Sequence, residues 1–271
     1  MRLKTSKILN IRMIKPVLHY FNLADEVVSF STTRHGGVSK GKLATLNINP
    51  HRGDEPSAVA ENLQAVAAEI GIQTDKVIRL HQIHETHCLT VTDAFFRLSV
   101  AEQYEMEEGK DAVVSDCRNV CIGVHTADCV PVLFYDPVHH AIGAAHAGWR
   151  GTVQRIAQHT LRKMTELYGT DPKELKAVVG PCISQKNFEV GQEVYDAFSA
   201  AGFPMERIAR MYEKWHINLP LCNQLQLEEL GVPIANILQS GICTYDNASD
   251  FFSARILKEG FGTIYTGIAL K

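Results

Sequence analysis

Three short segments each carry a side chain able to hold a metal ion: Leu80-His81-Gln82-Ile83-His84, Thr126-Ala127-Asp128-Cys129-Val130-Pro131 and Ala145-His146-Ala147-Gly148-Trp149-Arg150-Gly151-Thr152. Imidazole nitrogen and thiolate sulfur are the preferred donors for zinc. Three protein ligands leave the fourth tetrahedral place to water or substrate, which marks a catalytic site rather than a structural one. Water held there has a pKa near ~7, so a base is on hand at neutral pH. His84, Cys129 and His146 are the candidate ligands, and Asp128, beside the cysteine, is the candidate carboxylate supporting catalysis. His84 and Cys129 are 45 residues apart and Cys129 and His146 are 17 apart, which fits no local zinc-finger spacing. By spacing alone, a single His or Cys at a strand end is more often a structural residue.

Other signatures are absent. His84-Glu85-Thr86-His87-Cys88 misses the second histidine of His-Glu-x-x-His, and Pro181-Cys182 is followed by Gln185 where a zinc deaminase has its second cysteine. Glu85 reads first as a solvated turn carboxylate. None of the twelve histidines stands two residues from another, so the His-x-His pairs of multicopper oxidases are missing. Copper uptake by the same ligands would be adventitious. Two alternatives share these residues: a metal-free hydrolase with Cys129 as nucleophile and His146 as base, and a zinc-binding domain without catalysis.

The elements that must position these groups are legible in part. Pro56 opens a helix with Val59, Leu63, Val66, Ala67 and Ile70 at helical spacing up to Gly71, and a second helix is predicted over Thr152–Tyr168. Weaker helices follow Gly191 and Pro220. Strands are predicted at Val27–Thr32, Lys76–His84, Ala112–Ser115, Val120–His125, Val130–Tyr135, Ala141–Ala145, Leu175–Val179 and Thr263–Leu270. Alternation over Lys76–His84 would put Gln82 and His84 on one face. The runs flanking Asp136-Pro137 read as a hairpin. Strands cluster rather than alternate with helices, so the expected class is α+β, with mixed sheets flanked by helices.

With 271 residues, 45% of them hydrophobic, the chain is long enough for one large core, and no repeat or linker divides it. Residues 1–271 read as a single domain, with residues 1–25 as an N-terminal extension or first strand. Arg2, Lys4, Lys7, Arg12 and Lys15 precede the first acid, Asp25, without the apolar core of a secretory signal. A net charge of −3 gives no footprint for nucleic acid, and no apolar run is long enough for a membrane span. Seven cysteines, an odd number without a regular framework, point to reduced thiols in a cytoplasm. Trp149 and Tyr212 are candidates to pack on a base, although aromatic residues are more often core.

The same segments, with Gly180-Pro181-Cys182-Ile183, Phe30-Ser31-Thr32-Thr33-Arg34-His35-Gly36-Gly37-Val38-Ser39, Leu46-Asn47 and Phe251-Phe252-Ser253-Ala254-Arg255, resemble the YfiH/YlmD family from about Val27 to Leu270. Its members have been called laccase-domain or multicopper polyphenol oxidase proteins and are now described as purine nucleoside phosphorylases. The resemblance implies a layered α/β/β/α fold and metal ligation by His84, Cys129 and His146. It also implies phosphorolysis of adenosine, inosine and methylthioadenosine, with adenosine deamination alongside. Purine nucleosides and phosphate are then the partners. Arg34, with the Gly36-Gly37 turn and Ser39, is the expected phosphate contact; Asn47 and Arg150 complete the expected substrate-binding set. The sequence departs from the family at Thr263, where an arginine is usual, at Ser184, where a glycine is usual, and at His125, an additional imidazole.

Overall fold

The computed structural model describes residues 15–271. Its strands, in chain order, begin with β1 (Leu18–Phe21), β2 (Val27–Thr32), β3 (Cys88–Val91), β4 (Ala112–Ser115) and β5 (Cys121–Thr126). They continue with β6 (Val130–Asp136), β7 (Ala141–Ala147), β8 (Lys176–Val179), β9 (Glu189–Val190) and β10 (Ala209–Met211). The last are β11 (Trp215–Ile217), β12 (Ile237–Gln239) and β13 (Ile264–Leu270). Helices are α1 (Pro56–Glu69), α2 (Val100–Glu107), α3 (Trp149–Val153) and α4 (Ile156–Tyr168), then α5 (Gln192–Ala200), α6 (Met205–Ile208), α7 (Leu219–Glu229) and α8 (Ala254–Leu257).

One sheet has the order β1-β2-β13-β5, a second β12-β8-β6-β7-β4-β3, and a small third β10-β11-β9. The two larger sheets pack face to face: Ile122, Val124, Ile268 and Leu270 from the first meet Val113, Leu133, Tyr135 and Ile142 from the second. The outer face of the first sheet, with Phe30 and Tyr265, is covered by Leu63, Val66 and Ala67 of α1. The outer face of the second, with Val132 and Phe134, is covered by Ile156, Leu161 and Met164 of α4 and by α7. Every residue of β6 and β7 is buried, which is why both read as continuous apolar runs. These layers are the α/β/β/α order expected of the α+β reading. The predicted hairpin is β6–β7, with Asp136 Oδ1 accepting the N–H groups of Val138 and His139 at the turn.

Of residues 1–25, residues 1–14 lie outside the described residues, and Leu18–Phe21 is a first strand pairing antiparallel with β2, with Phe21 buried. Two expectations need correction. The predicted helix over Thr152–Tyr168 is two helices. The break is at Arg155, in the left-handed region at φ 64°, a conformation costly for a residue with a side chain. Tertiary contacts hold it there: Arg155 pairs with Glu229, donates to the Ala201 carbonyl and lies 3.8 Å over the Phe203 ring. The other is Lys76–His84, which starts inside the short turn Thr74–Lys76 and makes only isolated bridges, Val77 to Cys121 and His81 to Glu108. Its last backbone donors go to the carboxylate of Asp111 instead of a ladder, and His84 turns at φ 67°. The two-residue alternation therefore does not set the direction of His84.

Candidate metal centre and its cavity

The ligand atoms of His84, Cys129 and His146 all lie within 4.8 Å of one another, and this is the one such group of His, Cys, Asp or Glu among the described residues. His146 is the penultimate residue of β7, opposite Pro131 of β6, and Cys129 immediately precedes β6. The hairpin ladder thus brings together two groups 17 residues apart. His146 is buried, Cys129 half-buried and His84 exposed, so the group faces outward on the His84 side.

Asp128 does not orient a ligand by direct contact. It sits at φ 84°, and its carboxylate accepts from Thr244 Oγ1 at 2.7 Å, Ser253 Oγ at 3.0 Å and the Arg255 N–H at 2.7 Å. It ties the turn before Cys129 to two later loops. The orienting carboxylate is Asp111, just ahead of β4 and fully buried. One oxygen stands 2.7 Å from His146 Nδ1 and accepts the His84 N–H; the other accepts the N–H groups of Ile83 and Glu85. A single carboxylate therefore fixes the loop carrying His84 and leaves Nε2 of His146 toward Cys129, the geometry by which outer hydrogen bonds set a ligand's tautomer. Nothing in the spacing around Lys110-Asp111 announces this role.

Burial alone would push the Cys129 thiol up; His146, by charge and hydrogen bond, and His84 outweigh it and bring it down to about 6. Burial would lower His146, but Cys129 and Asp111 hold it up to about 9. The thiolate form is lost as pH falls through about 6 and the imidazolium as pH rises through about 9, so the ion pair of the metal-free protein occupies the window between. Iodoacetamide labelling of chelator-stripped protein is accordingly expected to show a Cys129 half-point near 6, below that of an ordinary thiol, and to be suppressed by added zinc. A half-point in the ordinary thiol range would contradict this electrostatic account. Burial instead pushes Cys88 and Cys121 up to about 12. All seven cysteines are free.

Two imidazoles and a low-pKa thiolate suit a zinc-class ion, and Gly148 keeps space for one. A Cβ there would stand 3.1 Å from Cys129 Sγ and 3.1 Å from His84 Cδ2, although the backbone, at φ −63°, tolerates alanine. Gly148→Ala is expected to keep its circular dichroism and lose metal affinity by about tenfold or more; unchanged metal content after dialysis against a weak chelator would refute this.

A cavity of about 230 Å³ opens over the triad, with space well beyond the roughly 30 Å³ share of one water. Its walls include Asn49, His51, Arg52, Gln82, His125, Thr126, Phe261 and Thr263. The expected substrate contacts are elsewhere. Arg34 spends its guanidinium on the carbonyls of Ala44 and Ala248 and lies 4.9 Å over Phe252. Ser39 donates to Asp54 and accepts from Asn62, and Arg150 is exposed beside its neighbour Trp149. Asn47 acts at one remove: its amide bonds Asp54, the Asn49 backbone and the Thr263 N–H, bracing two cavity walls. Glu85 faces His87 at 3.6 Å on the surface, and Tyr212 is exposed. The wall arginine is Arg52, which stands in none of the segments that carry the family resemblance.

Residues 28–271 match the family described as multi-copper polyphenol oxidoreductase laccase. The chain belongs to that family. Within the laccase family it is 40% identical over 261 residues to a purine nucleoside phosphorylase of Bacteroides thetaiotaomicron, covering 94% of this chain and 97% of that one. It is 35% identical over 257 residues to adenosine deaminase RL5 of an unknown prokaryotic organism, covering 94% and 98%. The crystal structure of YfiH from Bacillus licheniformis superposes with a TM-score of 0.87 at 30% identity, covering 96% of this chain and 98% of that one. The family name mentions several coppers, whereas the described residues of this chain form one three-ligand group. No helix among the described residues is long and apolar enough to cross a membrane.

Proposed function

We propose that this protein is a single-domain, zinc-dependent purine nucleoside phosphorylase of the cytoplasm. Adenosine, inosine and methylthioadenosine are its proposed nucleosides and phosphate its second substrate, with adenosine deamination as a further activity. The observation carrying this reading is the convergence of His84, Cys129 and His146 at the floor of a cavity, in a chain whose similar relatives are named for these two reactions.

In phosphorolysis a phosphate oxygen bonds to ribose C1′ as the bond from C1′ to the purine nitrogen breaks, and the base leaves with a proton. In deamination water replaces the amine at purine C6 and ammonia leaves. Zinc held by His84, Cys129 and His146 would supply Lewis acidity at the cavity floor. Asp111 holds His146 in the tautomer that presents Nε2, and Gly148 leaves the centre open. Leu80 and Phe261 supply apolar wall that limits water around the bound base.

The test is metal analysis combined with chromatography of inosine and adenosine incubated with phosphate. Free base with ribose 1-phosphate supports phosphorolysis, and inosine formed from adenosine supports deamination. Stoichiometric zinc with neither product would remove the nucleoside assignment. The pairing of Cys129, His146 and Asp111 favours one other reading, nucleophilic hydrolysis by Cys129 with His146 as base. That reading requires the chelator-stripped protein to remain active.

A further inference from the structure

Two groups in the cavity wall are unused by the metal ligands. Arg52 ends the turn Pro50–Arg52, in which the Asn49 side chain accepts the His51 N–H. Its Nε donates to the Phe261 carbonyl at 3.0 Å and its guanidinium lies 4.3 Å over the Phe261 ring. Among the described residues no carboxylate pairs with it, so a half-buried cation faces the cavity without a counter-charge.

His125, the second group, is held at both ends. Gln82 clamps its backbone, donating to its carbonyl at 2.8 Å and accepting its N–H at 2.7 Å. Its Nδ1 stands 3.3 Å from Thr263 Oγ1. That hydroxyl accepts from Asn49 Nδ2 at 3.3 Å, and the Asn49 amide is oriented because its oxygen takes the His51 N–H. A hydroxyl has one proton, and Nδ1 is the acceptor within its reach. Nδ1 therefore accepts, and the ring proton sits on Nε2. This ring is only 4% exposed, yet Nε2 has no partner; the buried Thr126 hydroxyl beside it in sequence also has none. Buried donors left so call for an acceptor from outside the chain.

We propose that Arg52 and the Nε2–H of His125 form an oxyanion subsite in this cavity, and that its ligand is inorganic phosphate. The guanidinium supplies the charge and a two-pronged donor suited to phosphate oxygens. The neutral imidazole supplies a fixed third donor, and Thr263 is the positioning residue that fixes its tautomer. The choice of phosphate among oxyanions rests on the phosphorylase reading; the demand for an anion rests on Arg52.

The experiment is calorimetric titration of the metal-containing protein with inorganic phosphate at constant ionic strength, without nucleoside. Saturable binding is expected. Arg52→Ala should weaken it by about tenfold or more, with Arg52→Lys in between. Thr263→Val, which puts a methyl group in place of the hydroxyl shared by His125 Nδ1 and the Asn49 amide, should weaken it several-fold. All three variants should keep wild-type metal content and a folded far-ultraviolet spectrum, although the lost Asn49 and Phe261 contacts lower their thermal midpoints. The subsite is overturned if millimolar phosphate shows no saturable binding, or if Arg52→Ala and Thr263→Val, both folded and metal-loaded, bind it as wild type does. Phosphate binding lost in Arg52→Ala without any phosphorolysis by wild type would uphold the subsite and sink the reaction class. Phosphorolysis with an unchanged phosphate KM in Arg52→Ala would sink the subsite and uphold the reaction.

Discussion

Replacing Cys129 by alanine is expected to remove metal and turnover together. Its sulfur is the one anionic donor of the triad, brought down to about 6 by the imidazoles around it. Alanine leaves two neutral imidazoles, one of them exposed, which hold a divalent ion far less tightly than a set containing thiolate. The loss should exceed the about 10–100-fold that removal of an outer hydrogen-bond partner costs a metal site. Elemental analysis of the purified variant and the nucleoside assay read the two effects separately. Both the metal reading and the Cys129 nucleophile reading predict lost turnover, so a third measurement separates them. Wild type stripped by chelator should lose activity and regain it with zinc. Full activity of the stripped protein would end the metal reading, however the variant behaves.

How much of this could be read from the chain depends on the range of the interaction involved. The strand at Val130–Asp136 and its hairpin partner were legible because burial on both faces leaves an unbroken apolar run, punctuated by Asp136-Pro137. Helix α1 was legible because one face packs and the other is wet. His84, Cys129 and His146 were nameable because each stands in a segment dense in turn residues and donors, but only the resemblance to the YfiH/YlmD family joined them. What failed were contacts decided far along the chain. Arg34 looked free for phosphate because its acceptors include a carbonyl 214 residues away, at Ala248. Arg155 breaks a helix whose periodicity runs straight through it, under contacts from Ala201, Phe203 and Glu229. The segment ending at His84 has strand-like composition, but Asp111 takes its amide protons. Arg52 was invisible for the converse reason: what distinguishes it is that no carboxylate among the described residues pairs with it, which only packing reveals.

That dependence makes Asp111→Asn the most discriminating change outside the ligands. Alanine at this position would strand three backbone N–H groups, each costing about 1–3 kcal/mol when buried, and would confuse unfolding with loss of function. Asparagine keeps the shape. Its oxygen can still take the Ile83 and Glu85 N–H groups, which puts the NH2 against His146 Nδ1 and the His84 N–H. A donor facing Nδ1 makes Nδ1 the acceptor and drives the ring proton to Nε2, the nitrogen that must be bare to bind an ion. It also removes the negative charge that helps hold His146 up to about 9. The expected variant is folded, with its far-ultraviolet spectrum intact, and has lost metal affinity by about 10–100-fold. Nitrogen-15 NMR of the His146 ring should show a single proton on Nε2 in the variant, whereas zinc-loaded wild type carries its single proton on Nδ1. Wild-type zinc content together with an unchanged tautomer would mean that Asp111 serves only the loop, and that the imidazole is set by Cys129 and His84 alone.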